Sequence, residues 1–271
     1  MSALRLTLRE RPAQRVDCSP LTTASVAGRG LKDIGAIELP TGNRRIRVDA
    51  LFTLAGTPGA DLEIHGSTGM LDRLGTGLAG GTLRVKGEAG AFLGMGMTAG
   101  TIEVEGNAGA FAGTGMRGGL IQLSGNAGEF LAAAIPGNHQ GMLGGTIVVR
   151  GNAGDRVGDR MRRGTVLIEG TAGDYVASRM VAGTIAVGGT TGRWPGLAMR
   201  RGTLFLLQNP PELLPTFNDC GIHPFTVLTL LVRAWRRFPG RFAALPEAGL
   251  RVRRYMGDLG NDGRGEILIP A

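Results

Sequence analysis

Residues 81–90 read GTLRVKGEAG, and the phrase returns as GTIEVEGNAG at 100–109, GLIQLSGNAG at 119–128, GTIVVRGNAG at 145–154, GTVLIEGTAG at 164–173 and GTIAVGGTTG at 183–192. A shortened form, DLEIHGSTG, precedes them at 61–69, and GTLFLL follows at 202–207. The leading glycines, Gly81, Gly100, Gly119, Gly145, Gly164, Gly183 and Gly202, are spaced 19 residues apart except for one interval of 26. The longer interval carries an insertion near residues 132–140, after which the register is recovered. Within each unit apolar side chains alternate, as in Leu83 and Val85, Ile102 and Val104, or Ile185 and Val187. A period of two means a strand with those side chains facing one way. Strands this short cannot each bury a face alone, so they must stack coil on coil in parallel, about 4.8 Å apart. The expected fold is all-β, a parallel solenoid of 19-residue glycine-rich coils.

Other columns support the same register. Met97, Met116, Met142, Met161, Met180 and Met199 each stand three residues before a leading glycine. The unbranched thioether suits the corner of a narrow core better than a metal array. The outward position of the strands is charged or polar in early coils (Arg84, Glu103, Gln122) and apolar later (Val148, Leu167). An outer face of that kind needs a cover, either a tail segment or a partner subunit. The 48 glycines among 271 residues do not follow a three-residue period, which excludes collagen, and 42% apolar content excludes a flexible linker. Hexapeptide solenoids have a period that does not divide 19, and the calcium-binding GGxGxD nonapeptide is absent.

The repeat divides the chain into an N-terminal cap (1–50), a solenoid (51–208) and a C-terminal helix with a docking arm (209–271). In the cap LRLTL reads as a strand, and NRRIRV with LFTLAG reads as the start of the stack. After the proline-rich NPPELLPTFNDCG, residues 224–238 read as one helix bounded by Pro224 and Pro239-Gly240, and LRVRRYMGDLG with GEILI reads as an extended arm over the solenoid or onto a neighbour.

The formal charge is +8, carried almost wholly by arginine because Lys32 and Lys86 are the only lysines. Residues 1–150 hold 14 basic and 12 acidic side chains, net +2, and residues 151–271 hold 16 and 10, net +6. No nucleic-acid motif accompanies this excess and aromatics are only 5%. Cys18 and Cys220 form no CxxC pair, and His65, His139 and His223 show no metal-ligand or catalytic spacing. His139, in the insertion PGNHQG, reads as an ordinary loop residue, with entry of the loop into an interface as the alternative. The stretch 227–232, apolar but for Thr229, is far short of a membrane span, so the chain is expected to be cytoplasmic, with neither a catalytic nor a metal site. The informative feature is a ridge of arginines in equivalent coil positions: Arg117, Arg162 and Arg200 in one, Arg163 and Arg201 in the next, Arg160 and Arg179 in a third. Asp155, Asp159 and Asp174 are available to neutralise it. Arg160, Arg162, Arg163, Arg179, Arg200 and Arg201 are the candidate site for an anionic partner or ligand.

The 19-residue strands, together with LRERPAQRVDCSPL and PGNHQGMLGG, resemble the C subunit of the bacterial formyltransferase/hydrolase complex, itself similar to the C subunit of archaeal formylmethanofuran dehydrogenase. The repeat also resembles the C-terminal domain of the glutamate synthase large subunit. The resemblance implies a right-handed parallel β-helix and a scaffold role in one-carbon metabolism of methylotrophs. In that complex formyl groups pass between tetrahydromethanopterin and methanofuran or methylofuran and leave as formate. Catalysis is implied for the A (hydrolase) and D (formyltransferase) subunits, and the B subunit is a further partner. The chain itself would hold no cofactor. Its arginines would face a partner or the carrier's polyglutamyl arm. A glutamate-synthase-like domain coupling distant active sites is the alternative, and an independent enzyme a third.

Overall fold

The computed structural model describes residues 3–271. Eight strands, Asp61–Ser67, Ala79–Gly87, Ala99–Val104, Leu120–Leu123, Leu143–Val149, Arg163–Ile168, Thr184–Val187 and Thr203–Leu206, pair in parallel in sequence order. They form the centre of a 13-stranded sheet. The alternation puts Leu83, Val85, Ile102, Val104, Ile185 and Val187 into the core, and the six methionines of the corner column are fully buried beside them. At the opposite corner Ala89, Ala108, Ala127, Ala153, Ala172 and Thr191 bridge coil to coil. The small side chain there lets the backbones approach. Chain turns between coils use left-handed backbone at glycine pairs such as Gly94/Gly96 (φ 63° and 67°) and Gly113/Gly115 (φ 70° and 64°).

One outward column records how the solenoid is covered. Register aligns Arg5, Glu63, Arg84, Glu103, Gln122, Val148, Leu167, Ala186, Phe205 and Leu268 across successive strands. The charged end faces water as ion pairs, Arg5 with Glu63 at 3.6 Å and Arg84 with Glu103 at 3.1 Å. The apolar end is covered by the chain's own tail. The helix Val227–Trp235 lays Leu228, Val232 and Trp235 over Val148, Leu167, Ala186 and Phe205, and Phe238 and Phe242 complete this second core. Burying a side chain of this size stabilises by about 1.5–3 kcal/mol. Glu169 anchors the segment after the helix by accepting from the Arg241 amide at 2.7 Å, while the Arg241 guanidinium donates to the Gly188 carbonyl at 3.0 Å.

Both ends of the stack are closed by added strands. Leu4–Leu8 pairs in parallel with Asp61–Ser67 and antiparallel with Phe52–Ala55, so this strand lies inside the sheet rather than over it. NRRIRV does not start the stack. Arg44–Arg47 pairs antiparallel with Glu38–Thr41 in a separate four-stranded sheet completed by Val16–Asp17 and Leu71–Asp72. At the other end Gly265–Pro270 adds in parallel to Thr203–Leu206, followed antiparallel by Arg251–Gly257 and Asn218–Pro224. Pro224 therefore ends a strand, and the helix begins only at Val227 because the ladder to Arg251 holds the proline extended.

The junction between the last coil and this arm is expected to be sensitive to acid. Burial works to raise the Asp258 pKa, but the amides of Ala198 and Gly260 and the Asn261 side chain donate to its carboxylate at 3.0, 3.1 and 2.9 Å and hold it below the ordinary aspartate value. A carboxylate with a depressed folded-state pKa contributes stability that is present above the unfolded aspartate value and lost as pH falls through the folded one. Amide exchange in residues 251–270 is expected to accelerate below about pH 4, ahead of the central coils. Equal acceleration throughout would contradict this.

Candidate functional site

The arginine ridge lies at the corner just before each strand. Arg162 and Arg200 follow the buried Met161 and Met199, so their Cα positions are fixed by the core. Backbone ladders lock the corner: the Arg162 and Arg200 amides donate to the Met142 and Met180 carbonyls, each at 2.8 Å. Arg160 and Arg179 occupy the position held by Gly77, Gly96 and Gly115 in earlier coils and keep its left-handed backbone, with φ of 59° and 52°. A bulky residue there is uncommon and unfavourable, and such residues concentrate at functional sites.

The structure brings all six candidate arginines to two adjoining depressions. One, of about 380 Å³, is lined by Arg160, Arg162, Arg179 and Arg200; the other, of about 510 Å³, by Arg117, Arg162, Arg163 and Arg201. Arg162 belongs to both, and its Nε is buried without a hydrogen-bond partner. The carboxylates do not neutralise the ridge as a set. Asp159 binds Arg179 through both oxygens, with Nε to Oδ1 at 2.8 Å. Asp174 instead pairs with Arg193 at 3.2 Å, and Asp155 accepts from the Asp174 amide at 2.8 Å. Among the described residues Arg160, Arg162, Arg163, Arg200 and Arg201 have no carboxylate within ion-pair distance. Unpaired guanidiniums on a fixed lattice attract carboxylate or phosphate, with a strength that salt reduces.

The insertion leans on this ridge. Arg160 Nη1 donates to His139 Nδ1 at 2.6 Å, and Arg162 Nη2 lies 3.5 Å from the His139 carbonyl oxygen. His139 thus lines the site instead of standing in a free loop. The cysteines lie elsewhere. Cys18 is fully buried, and burial, reinforced by Asp17 and Asp72, pushes its thiol far above the ordinary range, so it stays protonated. Among the described residues no group of three or more His, Cys, Asp or Glu side chains is arranged to hold a metal ion, and no helix is long and apolar enough to cross a membrane.

Comparison with known proteins agrees with this architecture. The GXGXG motif family matches residues 74–227. The C subunit of the formyltransferase/hydrolase complex Fhc of Methylorubrum extorquens is 46% identical over 271 residues, the whole of both chains. The chain belongs to the C-subunit family of formyltransferase/hydrolase complexes. A chain in the crystal structure of the formyltransferase/hydrolase complex FhcABCD from the same organism, in complex with methylofuran, superposes with a TM-score of 0.93 at 40% identity, covering 98% of this chain and 99% of that one. The likeness to the C subunit therefore runs through both ends, outside the 19-residue repeat.

In this member of the C-subunit family the sequence reading missed a second column. Phe92, Phe111, Phe130, Arg156, Tyr175 and Trp194 recur at one coil position, all with φ between 55° and 63°. The phenylalanines stack with centroids 5.2 and 4.7 Å apart, and Tyr175 and Trp194 are 5.1 Å apart. The signal was available at the 19-residue spacing used for arginine and methionine.

Proposed function

We propose that the chain is a scaffold subunit, itself non-catalytic, of a cytoplasmic formyltransferase/hydrolase complex. That complex moves formyl groups between tetrahydromethanopterin and a methanofuran-type carrier and releases formate. The single observation that carries this reading is the coextensive match to a subunit of such a complex, with a TM-score of 0.93. The partners are the A (hydrolase), B and D (formyltransferase) subunits, and the carrier belongs to the assembled complex. The ladder of the solenoid supports the scaffold role, because side chains repeated on it hold fixed spacing over a long surface. The test is co-expression with the three partners. One complex retaining both activities is expected, with no formyl transfer or hydrolysis by the isolated chain. Robust activity of the isolated chain overturns the reading, as does recovery with flavin and iron-sulfur modules instead.

Within that assembly the ridge of Arg160, Arg162, Arg163, Arg179, Arg200 and Arg201 is the surface for a polyanionic partner segment or the polyglutamyl arm of the carrier. Its support is the set of guanidiniums left without carboxylates on a fixed backbone. Replacing Arg162, Arg163, Arg200 and Arg201 by serine is expected to weaken carrier retention or assembly by about tenfold or more, since each charge-assisted contact contributes about 1.5–3 kcal/mol. Loss of retention with intact assembly assigns the ridge to the carrier, and loss of assembly assigns it to docking. A folded variant unchanged in both refutes the site.

A further inference from the structure

Three departures from the repeat meet at one place. The column that starts with Arg73 and is phenylalanine in the next three coils becomes Arg156 in the following one, flanked by Phe130 and Tyr175. The coil carrying Phe130 also carries the insertion, whose Ile135 and Pro136 line the same cavity as Arg156. The corner that is glycine in earlier coils becomes Arg160 and Arg179. Side chains from all three departures line a single cavity of about 430 Å³.

The electrostatics of this cavity are lopsided. Arg179 is compensated by Asp159, which is buried and also accepts from Ser178 Oγ at 3.1 Å. Arg156 lies 4.5 Å above the Tyr175 ring and 6.0 Å from that of Phe130, and among the described residues no carboxylate or other hydrogen-bond acceptor engages it. Stacking of this kind fixes the guanidinium plane and leaves its edge donors free. Arg160 commits Nη1 to His139 and retains its other donors. The apolar part of the lining is Phe130, Ala134, Ile135 and Pro136.

We propose that this cavity is a binding site for a small organic carboxylate with an apolar or aromatic body, its carboxylate held by Arg156 and Arg160 and its body resting on Phe130 and Ile135. The site goes beyond the scaffold reading and adjoins the ridge, with which it shares Arg160 and Arg179. The lining is mixed, apolar from Phe130, Ala134, Ile135 and Pro136 and polar from the arginines, His139 and Asp159, so it matches a ligand that carries both an anion and an apolar body. The unpaired Arg156 guanidinium and the remaining donors of Arg160 select an anion, and Phe130 and Ile135 select its body.

The repeat supplies the decisive variant. Arg156→Phe installs the residue that three preceding coils carry at this position, so the stack and the left-handed backbone are kept while the guanidinium is removed. Arg156→Gly, which suits a φ of 60°, serves as the second variant. Phenylacetate, acetate and inorganic phosphate are titrated calorimetrically against the full chain. Saturable phenylacetate binding with a Kd below about 1 mM is expected, with acetate and phosphate at least about tenfold weaker. Both Arg156 variants are expected to lose about tenfold or more in affinity, and the ridge serine variant to keep it within about twofold. No saturable binding by about 10 mM, wild-type affinity in the Arg156 variants, or phosphate binding as tight as phenylacetate overturns the proposal. So does loss of phenylacetate binding on assembly with the partner subunits, since a partner's own group would then fill the cavity.

Discussion

Replacing Trp235 by alanine is expected to cost about 3–5 kcal/mol and to detach the C-terminal helix from the solenoid. The indole is 1% exposed, with its ring centroid 5.4 Å from that of Phe205 and 5.6 Å from that of Phe242, the latter edge-on. Aromatic pairs in these geometries add about 0.5–1.5 kcal/mol each beyond the area they bury. Trp235 therefore joins the helix, the segment after it and the outer face of the last coil. Its loss leaves a void between two rigid surfaces, and a lattice of backbone ladders cannot collapse to fill it. The helix is only nine residues long and has little stability without its packed face. Urea denaturation is expected to show a lowered midpoint, with dye binding by the uncovered apolar strip before the coils unfold. A loss below about 1 kcal/mol would mean that Trp235 covers the strip without holding the tail in place.

That cover shows where sequence reading reaches its limit. The change from Gln122 to Val148 and Leu167 at outward positions announced that something apolar lies over the later coils. It did not say whether the cover was the tail or a partner subunit, because a hydrophobic strip is satisfied by any apolar surface of matching shape. The tail proved to be the cover through Leu228, Val232 and Trp235, three positions on one side of a helix whose outer side also carries Val227 and Leu230. NRRIRV misled for a related reason. Alternation marks a strand but not its sheet, and the antiparallel pairing of Arg44–Arg47 with Glu38–Thr41 depends on the turn between them.

The candidate site was legible where the register held. Arg162, Arg163, Arg200 and Arg201 were aligned by counting 19, and two adjoining depressions contain them. Their surroundings were not legible by the same count. Proximity in sequence offered Asp155, Asp159 and Asp174 as counter-ions, but a coil directs neighbouring residues to different faces, and only Asp159 reaches the ridge. The contact of His139 with Arg160, 21 residues away, was not legible because the insertion leaves the repeat and the contact follows from the loop's own backbone.

The other large effect concerns the leading glycines, and the prediction separates two reasons for glycine in one repeat. Gly77 has φ 64°, and a β-carbon placed there would meet nothing within 4 Å. Gly81 has φ 73°, and the same carbon would lie 1.9 Å from the Ala60 carbonyl oxygen. Gly77→Ala bears only the left-handed penalty of about 1–2 kcal/mol. Gly81→Ala bears that penalty and also forces the preceding coil away. The displaced carbonyl is the one that accepts the Thr82 amide at 3.2 Å, so relief of the clash breaks the ladder where Asp61–Ser67 meets Ala79–Gly87. A loss of about 3 kcal/mol or more is expected for Gly81→Ala, with amide protection reduced first in those two strands. Similar losses in the two variants would show that backbone conformation alone selects glycine at the head of each coil. A larger loss at Gly81 assigns the column to the close approach of successive coils, the same contact that keeps the arginine corners at fixed spacing.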